Sequence, residues 1–175
     1  CIRDRFGDYN PAGKLPVTFY RNVSQLPDFE DYNMTGRTYR YMQDVPLFPF
    51  GYGLSYTTFG YGKTVLDKNE LTAGQSLKLT VPVTNTGKCN GEEVVQVYLR
   101  KQGDAEGPIK TLRAFKRVSI PAGKTVNVEF DLKDKELEWW DDQSNTVRVC
   151  PGNYDIMVGG SSKEEDLQRT TIAIK

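Results

Sequence analysis

From residue 61 onward, apolar and polar residues alternate along the chain. Residues 77–83 place Leu or Val at every second position, and residues 125–132 repeat the pattern with Val, Phe and Leu. A period of two residues is that of a β-strand with one buried face. Shorter segments with the composition of strands lie at 64–67, 93–100, 112–118, 146–149, 154–159 and 170–174.

Turn residues separate these predicted strands. The turns are marked by Asn-Thr-Gly at 85–87, Asn-Gly at 90–91, Pro-Ala-Gly at 121–123 and Pro-Gly-Asn at 151–153. Short strands at this spacing predict an all-β fold, an immunoglobulin-like (fibronectin type III-like) β-sandwich over residues 60–175. Tyr154 stands where such a sandwich has its tyrosine-corner residue. Only residues 133–140 look helical, with Asp134 as the expected N-cap.

The first third of the chain is extended and rich in aromatic residues. It holds 13 of the 20 aromatic residues, most densely in residues 46–59, PLFPFGYGLSYTTF, which we call the strap. Prolines and glycines forbid a regular helix or a central strand there, so the rings must be buried against a neighbouring surface. We expect the strap to hold residues 1–45, the front segment, onto the sandwich. The strap residues expected to do this are Phe48, Phe50, Gly51, Gly53, Tyr56 and Phe59.

Two parts of the front segment have no obvious partner within the chain. Residues 15–20, LPVTFY, follow a turn and predict a short strand that joins a sheet supplied from elsewhere. Residues 36–41 alternate rings with guanidinium groups, a pattern of extended chain lying on a surface. We therefore expect the front segment to depend on contacts with other parts for its order.

Charge and composition exclude several classes of function. Lys plus Arg and Asp plus Glu number 23 each, which leaves no net charge to attract nucleic acid or an anionic membrane. No run of about 18 apolar residues and no signal peptide is visible, so we expect no membrane span. Histidine is absent, which removes the usual general base, the Ser-His-Asp arrangement and the commonest metal ligand. We expect no metal and no other cofactor.

The three cysteines are too few and too far apart for a disulfide framework or a zinc site. Cys89 is expected in a loop between strands and Cys150 at the other end of the sandwich, so both are predicted to be free thiols. Cys1 has the position of a lipoprotein cysteine but no preceding signal, and we expect the chain to have been cut there.

Four residues ahead of the strap are the best candidates for sugar binding. Arg37, Tyr39, Arg40 and Tyr41 combine rings that can stack on a sugar face with guanidinium groups that can bond its hydroxyls. The alternative, which we favour, is that the rings pack against the domain while the arginines pair with nearby carboxylates. No residue of the chain is expected to be catalytic.

Other candidates are weaker. Of Trp139 and Trp140, one is expected to fill the sandwich and the other to be exposed, because neighbouring side chains point apart. Adjacent carboxylates at 92–93, 141–142 and 164–165 do not converge on one bond, whereas a retaining glycosidase pair faces across roughly 5 Å. We expect those carboxylates to be solvated loop charges or, at 141–142, the end of a helix. Residues 159–166, GGSSKEED, are expected to form a mobile turn.

The phrase FPFGYGLSYT in the strap, with GRTYRY at 36–41 before it and the all-β pattern after it, resembles the carboxyl-terminal part of glycoside hydrolase family 3, the β-glucosidases and β-xylosidases. The resemblance runs from about Phe6 to the end of the chain. In that family such a phrase joins an α/β sandwich domain to a fibronectin type III-like domain. The resemblance implies that residues 1–59 are the end of the α/β sandwich domain with the strap, and that residues 60–175 are the fibronectin type III-like domain.

The resemblance also limits the function. The family's catalytic carboxylates lie upstream, so the chain is expected to be a non-catalytic structural module whose partners are the catalytic domains of the parent glycosidase. The parent would hydrolyse terminal β-linked xylose or glucose with retention, and it would be periplasmic or secreted if it carries an export signal. Residues 26–42 look more like the β-xylosidase branch. Two alternatives stay open: a carbohydrate-binding module that holds an oligo- or polysaccharide on exposed Tyr or Trp, and an adhesion sandwich unrelated to glycosidases.

Overall fold

The computed structural model describes residues 2–175 of the chain. Within these residues strands dominate, and the α-helices have one turn each. The helices are α1 (Ile2–Arg5), α2 (Thr38–Tyr41) and α3 (Asp134–Leu137), with 3-10 turns at Val23–Gln25 and Glu164–Asp166. The strands are β1 (Phe59–Tyr61), β2 (Val65–Leu66), β3 (Glu70–Leu71), β4 (Leu77–Asn85), β5 (Gly91–Lys101), β6 (Thr111–Ile120), β7 (Thr125–Leu132), β8 (Trp139–Asp141), β9 (Thr146–Arg148), β10 (Gly152–Gly159) and β11 (Gln168–Ile174).

Most of the strands form two sheets. In the first sheet β4 is central, with β7 along one edge and with β1 and β2 sharing the other edge. In the second sheet the order is β3-β11-β10-β5-β6, and all neighbours are antiparallel except β3 and β11. A β-bulge interrupts the pairing of β5 with β6 between Val97 and Tyr98, and β8 and β9 form a separate hairpin. This architecture confirms the predicted all-β sandwich.

The core lies between the two sheets. Every second residue of β4 is at most 1% exposed, as the alternating pattern predicts. The main core side chains are Leu77, Leu79, Val81, Val83, Val95, Val97, Leu99, Val128, Phe130, Leu132, Ile156 and Val158. Because burial of one such side chain stabilises a fold by about 1.5–3 kcal/mol, this cluster supplies most of the stability of the sandwich.

Tyr154 forms the tyrosine corner that the sequence predicts. Its hydroxyl donates a hydrogen bond to the backbone carbonyl of Cys150 at 2.8 Å. Its ring meets the ring of Trp139 edge-on, with the centroids 6.1 Å apart. Burial raises the pKa of the Tyr154 hydroxyl, so this group stays protonated and remains a donor. The bond fixes the chain where it enters β10.

The predicted helix over 133–140 is wrong in its extent and in its cap. α3 has only four residues, and β8 begins two residues after it ends. Asp134 is the first helical residue, and the N-cap is Lys133. The carboxylate of Glu136 accepts a hydrogen bond from the backbone N–H of Lys133 at 3.0 Å, which satisfies one end of the turn. The bulky rings that follow favour a strand, where they can point to opposite sides.

As predicted, one of the two tryptophans is buried and the other is exposed. Trp139 is 3% exposed, and its indole N–H donates to the carboxylate of Asp104 at 2.7 Å. The guanidinium of Arg113 lies 5.4 Å from the centre of the Trp139 ring. Trp140 is 49% exposed on the β8–β9 hairpin. Trp139 therefore serves packing.

The predicted strand at 15–20 does not form, and these residues pair with the strap instead. The N–H groups of Leu15 and Phe19 donate to the carbonyls of Tyr52 and Phe48, at 2.8 and 2.9 Å. Only the pair Phe19 and Phe48 has the geometry of a β-bridge. Prolines at 16 and 49 have no N–H, so the pairing cannot extend into a regular ladder.

Residues 36–41 are likewise not extended as predicted, because residues 38–41 form α2. The N–H of Met42 donates to the carbonyl of Thr38 at 2.9 Å and closes the turn. The carbonyl of Arg40 accepts a hydrogen bond from the N–H of Ile109, at 2.6 Å, in the loop before β6. One helical turn thus fastens this part of the front segment to the sandwich.

Of residues 159–166, predicted to be a mobile turn, the first half, residues 159–162, is packed, while residues 163–166 are exposed. Ser161 and Ser162 are buried, and the N–H of Ser162 donates to the carbonyl of Phe50 at 2.9 Å. Glycine and serine suggested mobility in the sequence, but the strap lies across this segment. The packing of residues 159–162 was not predicted because the contact joins residues more than a hundred positions apart.

Cys89 and Cys150 are free thiols, as predicted. Cys89 is exposed in the loop between β4 and β5, and Cys150 is buried just before β10. Cys1, where we expected the chain to have been cut, lies outside the described residues.

Candidate interdomain surface

The front segment and the strap cover the outer face of the second sheet. Strand β5 is buried at five successive positions, 95–99, although a strand of a two-layer sandwich buries only alternate residues. Gln96 and Tyr98 point away from the core, yet they are only 2% and 0% exposed. The strap covers Gln96, and Tyr39 of the front segment lies against Tyr98.

Gln96 is the main polar anchor of the strap. Its amide nitrogen donates to the carbonyls of Gly51 and Gly160, at 3.3 and 2.6 Å. Its amide oxygen accepts a hydrogen bond from the Tyr98 hydroxyl, whose pKa is raised by burial, so the phenol remains a donor. Gln96 was not among the residues predicted from the sequence, although a glutamine within the apolar run VVQVYL is a signal that could have indicated it.

Two glycines of the strap lie where the chain approaches its neighbours closely. Gly51 has a φ of +77°, and a Cβ at this position would lie 2.1 Å from the side-chain oxygen of Gln96. A Cβ at Gly53 would lie 2.2 Å from the carbonyl oxygen of Gly13. Space therefore requires glycine at both positions, and the backbone conformation requires it at Gly51 as well.

The rings of Phe50 and Tyr39 stack between the front segment and the second sheet. Their centroids are 4.2 Å apart with 19° between the planes. Tyr39 also meets Tyr98 edge-on at 5.9 Å, and its hydroxyl accepts a hydrogen bond from the N–H of Leu112 at 3.1 Å. One face of the Tyr39 ring is thus occupied by Phe50, and its polar end is bonded to β6.

The other strap rings are less enclosed than the sequence predicts. Phe48 is 39% exposed and Tyr56 is 54% exposed, so the expectation of burial is wrong for these two. Phe48 stacks on Tyr52 at 5.2 Å, and the Tyr56 hydroxyl donates to a carbonyl of α1. Phe59 is half-buried against the core of the sandwich. Phe48 and Tyr56 remain open because too few neighbours within this chain reach them.

A buried ion pair joins the front segment to β5. The ammonium of Lys14 lies 2.8 Å from the carboxylate of Glu93, and the two side chains are 18% and 7% exposed. The expectation that the carboxylates at 92–93 are solvated is therefore wrong for Glu93. Glu92 is half-buried and pairs with Arg117 at the surface.

A second ion pair lies beside the strap. Lys110 is 7% exposed, and its ammonium donates to the carbonyl of Ser162 at 2.8 Å and to the carboxylate of Glu164 at 2.6 Å. Burial on its own raises the pKa of Glu164, but the hydrogen bond and positive charge of Lys110, together with the charges of Arg169 and Arg100, outweigh it and leave that pKa below its usual range. Glu164 is therefore an ion-pair partner of Lys110 at neutral pH.

The four residues proposed to bind sugar lie in and next to α2, and all are half-buried. The guanidinium of Arg37 donates to two backbone carbonyls of the loop before it, including that of Asn33 at 2.9 Å. The guanidinium of Arg40 lies 5.8 Å from the centre of the Tyr41 ring. Tyr39 is turned toward the second sheet. Sugar binding by this group stays a prediction.

The outer side of the front segment and strap carries an exposed apolar surface. Of the 19 exposed large hydrophobic residues in the described chain, 15 precede residue 61. Phe29, Tyr32 and Val23 are 93%, 90% and 81% exposed. Apolar surface concentrated in this way marks a site of interaction with another molecule or domain.

Other kinds of site have little support. Among residues 2–175, no three Asp, Glu or Cys side chains are grouped as ligands of a metal ion. In the same range, no helix has the length and apolar character needed to cross a membrane.

A cleft of about 660 Å³ lies between the strap and the 3-10 turn at 164–166, with Tyr39, Phe48, Tyr52 and Lys110 in its wall. This cleft belongs to the same outer surface.

Replacing Phe50 by Ala should release the front segment while the sandwich persists. The ring is half-buried against Tyr39, so its loss should cost about 3 kcal/mol and remove the main apolar contact of residues 1–45. Limited proteolysis should then cut within residues 1–45 and spare residues 61–175. Phe115→Ala is the control, since that ring is 68% exposed on β6. Identical cleavage of the two variants would show that Phe50 does not hold the front segment.

The fold and its surfaces define a class of protein: a β-sandwich module that carries a docked segment with exposed apolar side chains on its outer side. Residues 6–56 match the Glycosyl hydrolase family 3 C-terminal domain, and residues 93–162 match the Fibronectin type III-like domain. Together the two matches cover more than half of the chain, which belongs to the carboxyl-terminal part of glycoside hydrolase family 3. The resemblance read from the strap is thereby confirmed.

Two curated relatives and one solved structure show the extent of the similarity. Over 97% of its length, the chain is 53% identical to a xylan 1,4-beta-xylosidase of Xylanibacter ruminicola, of which it spans 19%. It is 43% identical to a beta-xylosidase of Formosa agariphila over 97% of its length, spanning 24% of that protein. A β-glucosidase structure from Erythrobacter marinus superposes with a TM-score of 0.81 at 40% identity, over 97% of this chain and 22% of that one. The chain thus spans about a fifth to a quarter of each relative.

Proposed function

We propose that this chain is the non-catalytic structural module of a larger β-glycosidase and that it packs on the catalytic domains through the outer side of its front segment. The observation that carries the proposal is the asymmetry of that segment. Its inner side is bonded to the sandwich, while the segment and strap hold 15 of the 19 exposed large hydrophobic residues. Apolar surface left in water is unfavourable, and a partner domain that covers it would gain free energy.

We propose the domain division already given by the resemblance. Residues 1–59 would complete the α/β sandwich domain and connect it, through the strap, to the fibronectin type III-like domain at 60–175. The two family matches, at 6–56 and 93–162, lie on either side of this boundary, which supports the division.

For the parent we propose hydrolysis of terminal β-linked xylose or glucose with retention of configuration. The two reacting carboxylates would be supplied by the catalytic domains outside this chain. The beta-xylosidase names of two relatives, at 53% and 43% identity, favour xylose as the preferred sugar.

On its own, the chain is expected to hydrolyse neither an aryl β-xyloside nor an aryl β-glucoside. The carboxylate of Glu93 is buried in an ion pair with Lys14, and that of Glu164, in the wall of the cleft beside the strap, is paired with Lys110, so neither is free to act as a nucleophile or as a general acid. The assay uses the isolated chain at high concentration and the complete parent as the positive control, which should act faster on the xyloside.

Two results of this assay would contradict the proposal. Turnover by the isolated chain that survives repurification and disappears when one Asp or Glu is replaced would show that the module is catalytic. A folded complete parent that acts on neither aryl glycoside would refute the proposed reaction.

A further inference from the structure

The loop at residues 22–36, which we call the aromatic loop, is built with its apolar side chains outward. Phe29 and Tyr32 are at least 90% exposed, and Val23 is 81% exposed. A surface loop ordinarily turns polar groups toward water and buries its few apolar side chains. This inversion calls for a partner that covers the rings.

Local hydrogen bonds shape the backbone of the aromatic loop. The guanidinium of Arg37 donates to the carbonyls of Asn33, at 2.9 Å, and of Asp31. The carboxylate of Asp31 accepts hydrogen bonds from the backbone and side-chain N–H groups of Asn33, at 2.9 and 2.8 Å. The carboxylate of Asp28 accepts a hydrogen bond from the N–H of Glu30 at 3.1 Å. The rings are thus presented by a pre-organised backbone, which lowers the entropy lost on binding.

An apolar recess of about 640 Å³ lies between the exposed side chains. Its apolar wall is formed by Val23, Leu26, Pro27, Phe29, Tyr32 and Met34. Asp28, Asp31 and Arg37 also line it, and Glu30 lies between the two aspartates in the sequence. The recess has room for several side chains, and with three carboxylates against one guanidinium its surroundings carry a net negative charge.

We propose that the aromatic loop is the docking site for the preceding, catalytic part of the same polypeptide, which would place apolar side chains between Phe29 and Tyr32 and basic side chains against the carboxylates. Roughly four-fifths of the relatives' length lies outside this chain, which spans 19% and 24% of them. The mixture of aliphatic and aromatic side chains suits the apolar centre of a protein interface, and the acidic rim calls for a basic counterpart. The inference rests on the proposed function as a module of a larger enzyme and adds the particular loop and the chemistry of its partner surface.

Hydrogen exchange on the complete parent tests this proposal. The double variant Phe29→Ser/Tyr32→Ser is compared with Phe115→Ser, a control ring that is 68% exposed on the sandwich. Amides of residues 22–36 should exchange slowly in the unmodified enzyme and about tenfold faster or more in the double variant. The control should leave their exchange unchanged. Raising the salt concentration should speed exchange in the unmodified enzyme, because salt screens the acidic rim from its basic partners.

Three outcomes would overturn the docking site. Equal exchange of residues 22–36 in the unmodified enzyme and the double variant would mean that nothing covers the rings. Protection that grows with protein concentration, together with a doubled molar mass in sedimentation, would assign the surface to a second copy. Protection that appears only when xylose is added would assign it to the sugar. None of these readouts depends on turnover, so an inactive parent with a protected loop would refute the proposed reaction and leave the docking site standing.

Discussion

Replacing Gly51 by Val is expected to lower the free energy of unfolding by about 3–5 kcal/mol. At a φ of +77°, an L-residue is strained, and a β-branched side chain is strained most. Any Cβ at this position also meets the side chain of Gln96 at 2.1 Å. Because Gln96 is buried and bonded to the strap, it cannot move away without losing those hydrogen bonds.

Two control variants separate the sources of this loss. Gly74 has a φ of +87° with nothing within 4 Å of its Cβ position, so Gly74→Val reports strain alone and should cost about 1–2 kcal/mol. Gly13 also has open space and lacks the positive φ, so Gly13→Val should be within about 0.5 kcal/mol of the unmodified chain. Urea unfolding measures all three. A loss at Gly51 no greater than that at Gly74 would show that the close approach to Gln96 contributes nothing.

The sandwich could be predicted because its strands obey a local rule. Strands β4 and β7 each have one face in the core, and every second residue is apolar. The two-residue period of the sequence therefore matches the alternating burial of the side chains. The tyrosine corner was also predictable, since Tyr154 acts through a carbonyl only four residues before it. Both signals lie within a few positions of the residues they concern.

The covered outer face could not be derived from the alternating pattern. In β5 the run VVQVYL breaks the period of two, which is typical of a strand buried on both faces, yet the pattern does not say what covers the second face. The cover is the strap, some forty residues earlier. Gln96 could not be predicted as an anchor because its partners are the backbone carbonyls of residues 51 and 160. Every residue has a backbone carbonyl, so the sequence does not indicate which ones will accept a hydrogen bond.

The ion pairs of Glu92 and Glu93 could not be predicted from local sequence either. Adjacency in the sequence grouped Glu92 with Glu93 and suggested one solvated pair, but neighbouring residues of a strand face opposite sides. Glu93 faces Lys14 and is buried, while Glu92 lies near the surface. Nothing in either local sequence indicates a pairing between residues 79 positions apart.

Replacing Lys14 by Met should lower the free energy of unfolding by about 3–5 kcal/mol, because it leaves the carboxylate of Glu93 buried without a counter-ion. Glu93 is 7% exposed at its side chain, so little water reaches its carboxylate. Methionine has a similar length to lysine, so the change removes the charge and little of the packing.

The double variant Lys14→Met/Glu93→Leu should recover most of that loss, since a buried ion pair and an apolar pair of similar volume are often close in free energy. The matched control is the exposed pair of Lys175 with Glu70, whose side chains are 64% and 60% exposed at a separation of 2.6 Å. Lys175→Met should cost no more than about 0.5–1 kcal/mol. Urea unfolding of the four chains of the Lys14–Glu93 cycle, with Lys175→Met beside them, gives the coupling energy directly. A loss for Lys14→Met as small as that for Lys175→Met would mean that Glu93 stays hydrated and that this ion pair does not fasten the front segment to β5.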